Sequence, residues 1–112
     1  MEIVSVKLVV FKAAEEDMYC SYCPELKYFF DEKTVEKIVE NLRRHLLQEL
    51  CHRVKYKNLI KRGWQVSENS AIPPIFADED AIQLAERSYE IKIKEPIIIK
   101  VDVELPPTRN LW

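Results

Sequence analysis

A single glycine, Gly63, occurs in the 112 residues of this chain. Walker and dinucleotide-binding loops need clustered glycines, because only bare backbone approaches phosphate closely enough, so nucleotide binding of those kinds is excluded. Cysteine is scarce as well: there are three, an odd number. A chain of this size with an apolar core needs no disulfide framework, and reduced thiols fit a reducing compartment. Long hydrophobic runs are also missing. Stretches such as Ile97-Ile98-Ile99 meet a charge within a few residues, whereas a bilayer span takes ~20 apolar residues. Glu2 stands where a secretory leader would carry basic residues, so the expected location is the cytoplasm, away from any membrane.

What remains is ordinary globular material, 47% hydrophobic and 32% charged with a net charge of −2. That is enough for one core but not for two. We expect one domain over residues 1–105 and a C-terminal tail over 106–112.

From Ile3 to Phe11 the apolar residues Val4, Val6, Leu8 and Val10 share one parity, the signature of a half-buried strand. A polar loop leads to a second strand, Tyr19 to Cys23, ended by Pro24, and "LKYFF" offers a third, short one. Thr34 then suits a helix N-cap and Glu36 the first turn, ahead of an apolar stripe of Val35, Ile38, Val39, Leu42, Leu46 and Leu50. The helix either continues to Gly63 or breaks near Arg53 to Lys57. Further on, "WQV" reads as a short strand and "SENSAIPP" as a loop, with Asp78 as candidate cap of a second helix containing Ala81, Ile82, Leu84 and Ala85. In "YEIKIKEPIIIKVDVELPP" every odd position from Tyr89 to Leu105 is apolar except Glu95. A straight strand over residues 89–105 would reach ~56 Å at ~3.3 Å per residue. Either Pro96 marks a bulge, or the half after it leaves the domain to pair with a second chain. The expected fold is α+β, a small antiparallel sheet packed on one long helix, in the order β-β-(β)-α-β-α-β.

Chemical handles are few. Cys20-Ser-Tyr-Cys23 supplies two ligands of many zinc sites, but residues three apart on a strand point to opposite faces. No helix follows to lower a thiol pKa for redox work. Cys51 and His52, the remaining ligands, sit ~100° apart on a helix. The expectation is no metal and no cofactor, with two half-buried thiols on opposite sides of one strand. His45, Glu49 and His52 fall within a ~60° helical sector, open to metal or acid-base use but equally to a plain surface. Neither histidine has a serine nucleophile beside it, and no catalytic residues are expected. Arg43, Arg44, Arg53, Lys55, Lys57, Lys61 and Arg62 face Glu49 alone, a basic segment open to phosphates, to an acidic protein or simply to solvent.

The frame "EEDMYCSYCPEL" followed by "DEKTVEKIVENL" resembles the N-terminal domain of HicB-like antitoxins over roughly residues 3–45. Tyr19, Tyr22, Pro24, Glu25, Leu26, Thr34, Glu36 and Asn41 carry the resemblance. Lys27-Tyr28-Phe29 and Lys33 stand where that family has Pro-Gly-Cys and Gly. The resemblance implies a β-β-β-α-β core, a reduced RNase H-like fold without its catalytic carboxylates, in a protein that covers a small RNA-cleaving toxin. The expected function is accordingly that of a non-enzymatic, antitoxin-like protein-binding domain acting as a homodimer, with a small toxin-like protein as partner. Ile97, Ile99, Val101 and Val103 would form the paired interface. Arg53, Lys55, Lys57, Lys61 and Arg62 are the candidate contacts to a partner, or to nucleic acid in the alternative reading of a nucleic-acid-binding regulator.

Overall fold

The structure, a computed structural model, describes residues 2–13, 17–51, 56–66 and 71–105. The alternation after Glu2 forms β1, Glu2–Lys12. A turn at Pro24 separates β2, Tyr19–Cys23, from the two-residue β3, Tyr28–Phe29. Helix α1 covers Val35–Cys51 and α2 covers Tyr56–Lys61. After them come β4, Gln65–Val66, β5, Ala71–Ile72, then α3, Asp78–Tyr89, and β6, Ile97–Leu105. The fold is α+β: an antiparallel sheet in the order β3-β2-β1-β6, with helices, and a separate β4-β5 pair.

On one face of the sheet Val4, Val6, Leu8 and Val10 pack with Ile38, Leu42 and Leu46 of α1, and with Leu59 and Trp64 beyond it. Burying a Leu or Val side chain contributes ~1.5–3 kcal/mol, so the α1 stripe and the β1 parity dominate the stability of this layer. Thr34 caps α1 as its sequence position suggests, its Oγ1 accepting the Lys37 amide at 3.1 Å. Helix α2 ends on the one glycine. Gly63 takes φ 98°, the Gly63 amide donates to the Ile60 carbonyl and the Trp64 amide to the Leu59 carbonyl, a Schellman motif that turns Trp64 back into the core. The expected break near Arg53 to Lys57 falls mostly on residues 52–55, which lie outside the described residues.

Four expectations need correction. The sheet is buried on both faces at one end: Val9, Phe11 and Tyr22, of the opposite parity, pack with Ala81 and Ala85 of α3 and with Ile93. Two alanines on α3 let that helix approach the strands closely, which a single-face reading of β1 does not anticipate. Asp78 is not the cap of α3; Ala77 holds that position without a side-chain bond. The Asp78 carboxylate instead accepts Lys7 Nζ at 2.7 Å, and the same ammonium donates to the Phe76 carbonyl. "SENSAIPP" is not all loop, since Ala71 and Ile72 pair with Val66 and Gln65.

The fourth correction concerns the long strand. Tyr89 ends α3, and Glu90 at φ 57° closes it, with its amide donating to the Arg87 carbonyl and that of Ile91 to the Glu86 carbonyl. Glu95 is also left-handed, at φ 51°, before Pro96, and the strand begins only at Ile97. Tyr89, Ile91 and Ile93 mimic the strand period from a helix end and a loop. Nor does the half after Pro96 leave the domain: it pairs with β1 of the same chain from Val10↔Ile97 to Glu2↔Leu105.

Candidate functional site

The Cys-x-x-Cys lies on β2, whose pleat sends Cys20 toward the α3 layer and Cys23 into the α1 layer. The sulfurs lie on opposite sides of the strand, and among the described residues no group of three or more His, Cys, Asp or Glu could hold a metal. Burial pushes the Cys23 thiol up, and the Glu25 carboxylate beside it adds to the rise. Glu25 is itself only 3% exposed. Its Oε1 accepts the Cys23 thiol at 3.6 Å and its Oε2 the Lys7 amide at 2.9 Å. Strand β2 pairs with β1 only from Val9 to Lys12. The Glu25 side chain therefore continues that edge, satisfying a β1 donor that would otherwise be buried alone.

His45 and Glu49 do lie together, one helical turn apart, with His45 Nε2 3.2 Å from Glu49 Oε1. That nitrogen is buried and off the hydrogen-bond direction. The ring packs on Tyr28 at a centroid distance of 4.3 Å and edge-on to Phe30 at 5.7 Å. What completes the cluster is Arg62, whose Nη1 lies 3.0 Å from both Glu49 oxygens; His52 lies outside the described residues. Arg62 comes from the turn after α2, so the cluster ties the end of that helix to α1. Burial alone would raise the Glu49 carboxyl, but His45 and Arg62 together hold it below the usual range. Beside this cluster a cleft of about 300 Å³ opens between Tyr28, Phe29, Phe30 and Asp31 on one wall and Asn41, Arg44, His45 and Gln48 on the other. The α1 wall is braced, with Arg44 donating to Asn41 Oδ1 and Asn41 to Glu32 Oε1.

Opposite pH signatures follow for the two buried carboxyls. Glu49 titrates lower in the folded state than in the unfolded, so its contribution is complete above the ordinary carboxylate range and is lost as pH falls through its folded pKa. Glu25 is raised, chiefly by burial, so ionising it costs stability as pH rises through its folded pKa. In urea titrations between pH 3 and 7, Glu49→Gln is expected to lose less stability on acidification than the parent, and Glu25→Gln less on the approach to neutrality. Slopes identical to the parent's would refute the assignment.

Three residues of the basic segment, Arg43, Arg44 and Arg62, are engaged within the molecule. Arg62 holds Glu49, Arg44 holds Asn41, and Arg43 Nε and Nη2 donate to the Asp102 carbonyl at 3.3 and 3.2 Å. Lys61 is exposed at the end of α2, Lys57 lies on the same helix, and Arg53 and Lys55 fall outside the described residues. Of the four strand residues singled out in the sequence, Val101 and Val103 are buried in their own core, Ile99 packs against it, and Ile97 remains 55% exposed.

The open feature of β6 is its main chain. In an antiparallel pair, residues alternate between exchanging both amide bonds and exchanging none. The Asp102 carbonyl goes to Arg43 and the Lys7 amide to Glu25, so the pairs Ser5↔Asp102 and Lys7↔Lys100 are of the second kind. It follows that Ile98, Lys100, Asp102 and Glu104 turn their N–H and C=O groups away from β1. Strand β6 ends the sheet order, and the Arg43 guanidinium donates to the Asp102 carbonyl on that edge. Sequence reasoning picked the odd-numbered side chains; the even-numbered backbone was invisible to it, because edge position is a property of sheet order. No family model, curated protein or solved structure matches the chain, so its function is read from these features.

Proposed function

We propose that the chain is a non-enzymatic, HicB-like protein-binding domain, antitoxin-like in covering a small protein partner, and that it works in the cytoplasm as a homodimer joined along β6. The observation that carries the reading is this nine-residue edge strand, with a row of outward main-chain donors and acceptors. Edges of that length are templates for pairing with another chain, and proteins that do not use them commonly shorten or cover them. The order β1-β2-β3-α1 is in keeping with the resemblance over residues 3–45. The fourth strand of the main sheet comes later than the resemblance implies, after α2, the β4-β5 pair and α3. A structural role for His45 and Glu49 also supports a binding domain rather than an enzyme, since the ring packs on Tyr28 and edge-on to Phe30 and the carboxylate is neutralised by Arg62. No described helix is long and apolar enough to cross a membrane.

The test is Lys100→Pro. Because the Lys100 amide faces away from β1, proline there removes an intermolecular donor and leaves the intrachain ladder intact. Light scattering is expected to give a dimer for the parent and a monomer for the variant, with unchanged far-ultraviolet circular dichroism. A variant that stays dimeric would overturn the role given to β6.

A further inference from the structure

Resting on that reading, we infer that a second copy of the chain docks on β6 in one register, with the two-fold axis at Val101. The main chain limits the choices, because the outward-facing residues Ile98, Lys100, Asp102 and Glu104 must pair with one another across the axis for the ladder to close. Centring the axis on Lys100 would place that ammonium against its own copy, and centring it on Asp102 would oppose two carboxylates. Like charges directly opposite are destabilising. With the axis at Val101, Lys100 faces Asp102 of the second copy, twice by symmetry, and Ile98 faces Glu104. This register also pairs all nine residues of the strand, from Ile97 against Leu105 onward.

Both faces of the sheet accept this arrangement. Lys100 and Asp102 are exposed and lie beside Lys7 and Ser5, on the end of the sheet where Ile3 is 65% exposed. On the α1 side, Val101 meets its own copy across a pair that exchanges no main-chain bonds, and Ile97 gains a neighbour for its exposed side chain. Two groups are to be accommodated: the Ser5 hydroxyl, which donates to Asp102 Oδ1 and leaves Oδ2 for the Lys100 ammonium of the second copy, and the Arg43 guanidinium. The bonds of Arg43 to the Asp102 carbonyl, at 3.3 and 3.2 Å, are long, and a carbonyl oxygen has a second lone pair for the Lys100 amide of the second copy. The product is an eight-stranded sheet continuous through both copies, with the axis at its centre.

Charge reversal tests the register. Lys100→Asp brings carboxylates face to face across the axis and is expected to weaken the dimer at least tenfold by sedimentation equilibrium. Asp102→Lys does the same with two ammonium groups. The double variant Lys100→Asp/Asp102→Lys restores the complement and is expected to return the dimer to within a few-fold of the parent. A purely structural role would not give this pattern. Within one chain Lys100 lies opposite Lys7, so the single Lys100→Asp should unfold no more easily as a monomer, while its dimer is lost. A parent that is monomeric throughout would bring down the proposed function as well. A dimer that Lys100→Pro breaks but the double reversal fails to rescue would overturn the register alone.

Discussion

Ending the chain after Glu95 is expected to abolish cooperative folding. The cut removes Val101 and Val103 from the α1 layer, takes Ile99 from its margin, and strips β1 of its β6 partner from Glu2 to Val10. Each buried aliphatic side chain contributes ~1.5–3 kcal/mol and each main-chain bond ~0.5–1.5 kcal/mol, so the loss is comparable with the ~5–15 kcal/mol that holds a domain folded. A thermal scan by circular dichroism should show no sigmoidal transition for the truncated chain. A fragment that still melts cooperatively would mean that β6 is an accessory to the core. Truncation therefore probes the core, whereas Lys100→Pro probes the edge.

The largest single-residue effect is expected at Trp64. Its side chain is 2% exposed, delivered into the α1 layer by the Gly63 turn, and its indole N–H donates to the Glu25 carbonyl at 2.8 Å. Trp64→Ala should cost ~3–5 kcal/mol, the range for emptying a large aromatic site. Trp64→Phe retains much of the bulk but leaves a buried carbonyl without its donor, and should cost ~1–3 kcal/mol. Urea unfolding of both variants separates the two terms. If the Phe variant matches the parent, the indole bond adds nothing. The position is demanding in a second way: a Cβ at Gly63 would sit 3.4 Å from Pro74 Cβ, so the turn that aims Trp64 is enclosed as well as left-handed.

Local chemistry made much of this architecture legible in the sequence. Thr34 and the stripe through Ile38, Leu42 and Leu46 place α1, Gly63 stops α2, and strand parity alone separates Cys20 from Cys23. What was not legible depends on which elements meet. Tyr89, Ile91 and Ile93 alternate like a strand because a helix end and a loop happen to continue the period of β6, and neither left-handed residue there, Glu90 or Glu95, is a glycine. Val9 and Phe11 look solvent-facing until α3 is laid over them. Glu49 and Arg62 are 13 residues apart and meet only because α2 returns to α1. The β6 edge, on which the proposed function rests, is of the same kind.

The β1–β6 ladder has a further consequence for how the chain folds. It joins residue 2 to residue 105, so the central strand finds one neighbour a few residues away in β2 and the other almost a full chain length away. Contacts of such high order are slow to form, because the loop between them must be closed before any bond rewards it. During synthesis β1, whose Val4, Val6, Leu8, Val9 and Val10 are all buried in the folded chain, has one side bare until Ile97–Leu105 has left the ribosome. That interval is when the protein is most open to pairing with the wrong chain, and its yield in cells should depend on how long it lasts.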